Sequence, residues 1–99
     1  MKLDRNGYAP SILGNAEYCA VCMRRDRPLQ RHEVFHGAFR SKAKRYGLWV
    51  SLCDDCHREV HTGDGKLDLR LKSWAQKHAM TVYGWTVDDF RKHFGKNYL

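Results

Sequence analysis

Long apolar runs are missing from this 99-residue sequence, and so are internal repeats and low-complexity tracts. No stretch approaches the roughly 20 apolar residues that a membrane-spanning helix needs, which argues against a membrane protein. The segment from Met1 to Gly7 also lacks the apolar stretch of a secretory signal peptide. We therefore expect a small cytoplasmic protein with no membrane partner.

Acidic residues are scarce in one part of the chain. The whole sequence has 18 Lys and Arg against 11 Asp and Glu, which gives a net charge of +7. The segment from Arg24 to Arg45 holds eight basic and only two acidic residues, so it carries +6 of that excess. Such a basic segment favours a polyanionic partner, most simply nucleic acid. The candidate contacts to nucleic acid are Arg31, Arg40, Lys42, Lys44 and Arg45.

Four cysteines compensate for the small core that so short a chain can build. They form two pairs, Cys19-x2-Cys22 and Cys53-x2-Cys56, separated by thirty residues. In a reducing compartment such pairs bind metal more often than they form disulfides. Each Cys-x2-Cys pair can form a tight turn, called a knuckle here, that presents two thiolates to one ion. Two knuckles complete a closed tetrahedral site of four thiolates, which suits a structural zinc ion. Bound zinc would supply folding free energy.

The chain divides into three parts around this zinc site. Residues 1–17 contain several turn-forming residues without a sustained period, which predicts a flexible arm. Residues 18–65 predict the zinc-bound core, with a strand over Leu29–Phe35, a basic helix over 38–46 and a strand over Leu48–Leu52. Residues 66–99 predict two further helices, one over 68–79 and one from Thr86 to Gly95 with a capping box and a glycine C-cap. The expected fold is a small zinc-stabilised α+β domain.

The second Cys pair is expected to open a helix, with Asp54 or Asp55 as the N-cap, that runs to about His61. Zinc held by a loop and by the first turn of a helix is the treble-clef, or ββα-metal, arrangement. His57 and His61 are four residues apart on this helix, so they lie on one face within reach of a common ion.

A third histidine, His32, is followed by Glu33 at the centre of the first predicted strand. The return strand and the helix would bring His32 or Glu33 against His57. Imidazoles and a carboxylate around an open metal position, beside positive charge, are the groups that phosphodiester hydrolysis requires.

This pattern resembles the HNH endonucleases, also called His-Me finger nucleases, and is most similar to small phage-encoded members. The resemblance covers residues 18–99. Its motifs are the first Cys pair, His32-Glu33-Val34-Phe35-x-Gly37, Tyr46-Gly47-Leu48-x-Val50-x-Leu52-Cys53 and Cys53-x2-Cys56-His57-x3-His61.

The resemblance implies that the first strand supplies a general base and a neighbouring metal ligand, while a histidine after the last cysteine completes the catalytic metal site. His57 then binds the ion with His61, and His32 and Glu33 occupy the base-and-ligand position. Either His32 is the base and Glu33 assists, or His32 binds the metal and another group, Glu33 or His36, activates water. The catalytic ion would be Mg²⁺, Mn²⁺ or another transition metal.

The expected function is that of a metal-dependent DNA endonuclease or nickase, encoded by a phage or prophage and acting in the bacterial cytoplasm. Its substrate would be double-stranded or branched DNA, and a larger phage or host protein is a possible partner. The family pattern also has an asparagine between the strands, whereas the asparagines here are Asn6, Asn15 and Asn97. This difference, together with the order His32-Glu33, motivates the alternative of a non-catalytic zinc module that binds DNA or a protein of the phage replication or recombination machinery.

Overall fold

Within residues 2–99, which the computed structural model describes, the chain forms two β-strands and four α-helices. The predicted small α+β class is therefore confirmed. The elements are β1 (Leu29–Glu33), α1 (Arg40–Arg45), β2 (Trp49–Cys53), α2 (Asp54–Thr62), α3 (Lys66–Tyr83) and α4 (Val87–Phe94), and a 3-10 turn at Gly37–Phe39 precedes α1.

The two strands form an antiparallel sheet in which Leu29 pairs with Cys53 and Glu33 pairs with Trp49. All five residues of β2 are buried, which explains its nearly continuous apolar sequence. Strand β1 is shorter than predicted. Val34 still donates its backbone N–H to the carbonyl of Leu48 at 3.0 Å, but the N–H of Leu48 is donated to the carbonyl of Ala43 at 2.8 Å, so the ladder ends there. The hairpin places the start of β1 beside the end of β2 from which α2 departs.

Helix α2 follows β2 without a loop. Its N-cap is Cys53, so the prediction of Asp54 or Asp55 as the N-cap is wrong. Both aspartates lie in the first turn instead, where they form ion pairs with Arg27 at 2.7 and 2.6 Å. Carboxylates at this end of a helix interact favourably with its dipole. The second Cys pair therefore spans the junction, with Cys53 at the end of β2 and Cys56 in the first turn of α2.

Helices α3 and α4 close the core. Helix α3 extends beyond the predicted 68–79 as far as Gly84, whose φ of 67° stops it. Helix α4 begins with the predicted capping box between Thr86 and Asp89 and ends at Gly95 with φ 79°, so this prediction is confirmed. No helix among the described residues is long and apolar enough to cross a membrane.

Aromatic rings fill the centre of the core. Phe35 packs against Phe90 and Phe94 with ring centroids 5.3 and 4.8 Å apart. Leu48 and Leu52 of the hairpin region are fully buried in the same cluster. These contacts fix the sheet relative to α4, and they assign Phe90 and Phe94 to packing.

The N-terminal arm forms no helix or strand between residues 2 and 17, yet its middle part is packed on the hairpin. The backbone of Ala9 donates to the carbonyl of Lys44 at 2.9 Å, and the indole N–H of Trp49 donates to the carbonyl of Ala9 at 2.8 Å. Tyr8, Ala9 and Leu13 are buried. The arm therefore differs from the loosely ordered segment that its turn-forming residues predict, because long-range contacts hold it.

Candidate functional site

The four cysteines meet at one point between the first loop and the start of α2. Within this group every sulfur lies within 4.8 Å of the others, and none of the four is in a disulfide. Their convergence follows from the hairpin, because Ala20 next to the first cysteine donates its N–H to the carbonyl of Ser51 at 2.9 Å. The spacing of these sulfurs suits a tetrahedral structural metal such as zinc. The structure therefore brings together the four cysteines that the sequence predicts as ligands of a structural metal, Cys19, Cys22, Cys53 and Cys56.

Backbone amides around the cluster favour thiolates. Burial alone would raise the pKa of the Cys19 thiol, but hydrogen bonds from the N–H groups of Cys22, Cys53 and Val21 outweigh burial and lower this pKa to about 6. Burial and the neighbouring thiols raise the pKa of Cys56. One thiol is thus prepared to lose its proton, which is a condition for binding zinc, and a bound cation would neutralise the charge that gathers here.

Three histidines form a second cluster, separate from the four cysteines. His57 and His61 come from consecutive turns of α2, and their Nε2 atoms are 3.1 Å apart. The ring of His32 on β1 lies 5.3 Å from that of His57 and 5.4 Å from that of His61, centroid to centroid. One nitrogen from each of the three side chains lies within 4.8 Å of the others. The hairpin and α2 therefore bring together the three imidazoles that the sequence singled out.

The imidazole of His32 is buried without a partner for one of its nitrogens. The residue is only 3% exposed, and its Nε2 has no hydrogen-bond partner. Burial, followed by the charges that His57 and His61 can carry, lowers the pKa of His32 to about 4. Its ring is therefore neutral at physiological pH, with a lone pair available. A buried polar atom left unsatisfied in this way is rare, so Nε2 of His32 is a candidate ligand atom.

Gln30, which the sequence analysis did not single out, orients His57. Its Oε1 lies 2.6 Å from Nδ1 of His57, so Nδ1 carries the proton and Nε2 is left for a ligand. Gln30 and His32 are two residues apart on β1 and therefore share a face of the strand. The alternation of side chains along a strand is the sequence signal that could identify Gln30. Using it requires knowing which face of β1 meets α2.

Glu33 is not part of the histidine cluster. Its Oε1 accepts hydrogen bonds from the hydroxyl of Tyr8 at 2.6 Å and from Nε of Arg40 at 3.0 Å. Burial raises the pKa of Glu33, but these two hydrogen bonds more than offset it and leave the pKa below its usual value. Glu33 is therefore an ionised carboxylate that is already engaged by two donors.

A cavity of about 370 Å³ opens over the histidines. His36 lies on its wall, with its ring 6.0 Å from that of His61 and its Nε2 3.5 Å from Oδ1 of Asp68. That Asp68 oxygen is buried and has no hydrogen-bond partner of its own. The lining residues are Arg31, His32, Glu33, His36, Gly37, Arg40, His57 and His61.

The five basic candidates separate into two groups. Arg31 and Arg40 line the histidine cavity. Lys42 donates a hydrogen bond to the carbonyl of His93 at 3.2 Å. Arg45 lies beside Tyr46 and Tyr83 in a separate pocket. Lys44 sits over the ring of Tyr8, 4.8 Å from its centroid. Positive charge therefore continues along α1 away from the cavity.

The two clusters suit different chemistry. Four thiolates form a closed site that holds an ion for structure, whereas three imidazoles leave coordination positions open. Imidazole nitrogens suit zinc, iron, nickel and copper better than magnesium, which prefers oxygen ligands. Comparisons of the chain with protein-family models, with curated proteins and with solved structures find no match.

Proposed function

We propose that the chain is a metal-dependent endonuclease of the HNH type that hydrolyses phosphodiester bonds in DNA. The observation that carries the proposal is the buried imidazole of His32, whose Nε2 has no hydrogen-bond partner and whose ring lies beside those of His57 and His61. Two arginines line the same cavity, so a phosphate would find opposite charge directly beside the three nitrogens. In this proposal the four-cysteine core, the hairpin and α2 form a treble-clef scaffold.

His32, His57 and His61 would hold the catalytic divalent ion. Such an ion stabilises the negative charge that develops on the phosphate and on the leaving oxygen. Gln30 keeps His57 in the tautomer that offers Nε2, and the Cys pair at the start of α2 fixes the position of that helix. Because His32 is buried and neutral, it would bind the ion without first losing a proton.

His36 is the group best suited to accept a proton from the attacking water. It is the histidine of the cavity wall that lies outside the cluster of three. Its Nε2 lies 3.5 Å from Oδ1 of Asp68 without hydrogen bonding to that oxygen, and its ring lines the cavity 6.0 Å from the ring of His61. Glu33, the other candidate, already accepts hydrogen bonds from Tyr8 and Arg40.

Cleavage of supercoiled plasmid tests this function. The zinc-loaded full chain is incubated with Mn²⁺, Ni²⁺ or Mg²⁺, and nicked and linear products are counted over time. We expect cleavage by the unaltered chain and a loss of about 100-fold or more in His57→Ala and in His36→Gln. His78→Ala is the matched control, because His78 contacts the carbonyl of Trp74 on α3 and not the cavity. Equal cleavage by His57→Ala and the unaltered chain would contradict the site assignment.

A non-catalytic zinc module that binds DNA is the second candidate. It is favoured by the engagement of Glu33, which leaves the strand without a free carboxylate, and by the basic residues of α1. This candidate predicts DNA binding without cleavage under any of the three ions. It also predicts that the histidine cluster takes up no metal, whereas the nuclease requires an ion there.

A further inference from the structure

Tyr8 of the N-terminal arm lies between the sheet and the basic residues of the cavity rim. The residue is 9% exposed, and its ring meets that of Trp49 edge to face with centroids 5.5 Å apart. Trp49 in turn anchors the arm through its hydrogen bond to the carbonyl of Ala9. The position of Tyr8 is thus fixed by the core.

The hydroxyl of Tyr8 begins a chain of contacts that reaches the cavity. It donates to Oε1 of Glu33, whose side chain is 8% exposed, and the same oxygen accepts from Nε of Arg40. Burial, followed by the hydrogen bond to Glu33, raises the pKa of Tyr8 to about 12, so the hydroxyl keeps its proton. Because Arg40 uses Nε for this bond, its two terminal nitrogens are left for an acceptor in solution. The side chain of Arg40 is 62% exposed.

The ring of Tyr8 supports the second cavity arginine. The guanidinium carbon of Arg31 lies 4.4 Å from the centroid of Tyr8 and 5.0 Å from that of Trp49. Arg31 also forms an ion pair with Asp4 at 3.0 Å, but both of these side chains are partly exposed. Exposed pairs of this kind contribute little to stability, so a phosphate can replace Asp4 at small cost.

We propose that Tyr8 is a positioning residue that holds Arg31 and Arg40 as a clamp for a backbone phosphate of nucleic acid at the rim of the histidine cavity. Both arginines line that cavity, and one side chain organises both, through its ring and through its hydroxyl. Glu33 serves here as the buried anchor of Arg40. The proposal rests on the proposed function only in placing the bound phosphate next to the three histidines.

The clamp is favourable because its parts are fixed before the ligand arrives. A free arginine loses side-chain entropy when it binds phosphate, whereas Arg40 is already held by Glu33 and Arg31 by two rings. The guanidinium group also matches phosphate geometry with two parallel hydrogen bonds, which lysine cannot form. Removing the hydroxyl of Tyr8 is therefore expected to weaken phosphate binding without removing any positive charge.

Duplex binding measured by fluorescence anisotropy tests the clamp. All proteins carry His57→Ala, so that the DNA stays intact, and all are zinc-loaded full chains. The probe is a short fluorescent duplex, titrated at several KCl concentrations. The variants are Tyr8→Phe, Arg40→Gln and both together, with Tyr83→Phe as the matched control. Tyr83 also donates through its hydroxyl, to the carbonyl of Tyr46 at 2.6 Å, and does not line the cavity.

We expect Arg40→Gln to weaken binding about tenfold, on the scale of one charge-assisted hydrogen bond. It should also lower the salt slope by about one. Tyr8→Phe should weaken binding through Arg40, so adding Arg40→Gln to it should cost little more. Tyr83→Phe should bind as the parent does. A merely structural role of Tyr8 would lower stability without this coupling to Arg40.

The clamp is overturned if Tyr8→Phe binds like the parent, if its effect adds fully to that of Arg40→Gln, or if the parent does not bind the duplex. These outcomes are separate from failure of the nuclease proposal. Coupled binding in these proteins, together with no plasmid cleavage by the chain that keeps His57, supports the clamp and rejects the nuclease. Plasmid cleavage that Tyr8→Phe and Arg40→Gln leave unchanged in the chain that keeps His57 supports the nuclease and rejects the clamp.

Discussion

The ring of His32 on β1 lies 5.3 Å from the ring of His57 on α2, although 25 positions separate them in the sequence. The antiparallel register of the hairpin and the direct passage from β2 into α2 create this contact. His61 joins them one helical turn further along α2. The arrangement is a consequence of the same geometry that gathers the four sulfurs.

Removal of the structural metal should unfold the chain. The core is small, and zinc bound by four thiolates contributes folding free energy directly. We expect a chelator to abolish most of the helical circular-dichroism signal and added zinc to restore it. Chelator saturated with Zn²⁺ is the control. A helical signal that persists after zinc has been released would show that the core is stable alone.

The histidine cluster should bind a second ion. Native mass spectrometry of the chain in excess zinc is expected to show one ion for each of the two clusters, and His32→Ala should retain only the ion of the sulfur cluster. The reason is that His32 supplies a buried nitrogen with no partner in the protein. His78→Ala should keep both ions. A second ion that survives His32→Ala would place that ion elsewhere.

Met23→Gly should stabilise the first knuckle. Met23 has a φ of 67°, a left-handed conformation that disfavours any side chain with a Cβ, and it is 59% exposed. Relief of this strain, reduced by the greater entropy of glycine in the unfolded chain, should add about 0.5 to 1 kcal/mol to the free energy of unfolding. Urea denaturation at constant zinc measures it. Met23→Ala keeps the Cβ, so equal stabilisation by Met23→Ala would contradict the explanation.

Gly47→Ala should loosen the arm as well as destabilise the fold. Gly47 has a φ of 71°, and an added Cβ would collide with the backbone oxygen of Pro10. Gly7 has a φ of 86° but open space around it, so Gly7→Ala reports the conformational strain alone. We expect Gly7→Ala to cost about 1 kcal/mol and Gly47→Ala clearly more, because backbone atoms must also move. If urea denaturation showed equal losses of unfolding free energy in the two variants, the arm would be moving away from the added Cβ at no cost, which would contradict the explanation.

Local sequence signals account for the parts of the site that could be predicted. The paired spacing of the cysteines identifies both knuckles, and the four-residue spacing of His57 and His61 puts them on one helical face. The hairpin was expected to return the chain past His32. The capping box of α4 was also predictable, because it depends on residues three apart.

Contacts between distant segments account for the rest. Nothing near Tyr8 in the sequence indicates that its hydroxyl meets Glu33, 25 positions away. The role of Gln30 depends on which face of β1 meets α2, and the N-cap of α2 depends on where β2 ends. Such features are set by tertiary packing, which local propensity does not describe.

Helix α2 carries Cys56 and His57 on consecutive residues, so neighbouring positions serve the sulfur cluster and the imidazole cluster. Under the proposed function the two occupancies would be linked, because the imidazole cluster exists only while α2 is folded. A chain that lost the cation from its thiolates would then lose the imidazole cluster as well, and a newly synthesised chain would acquire its scaffold ion before any reactive ion.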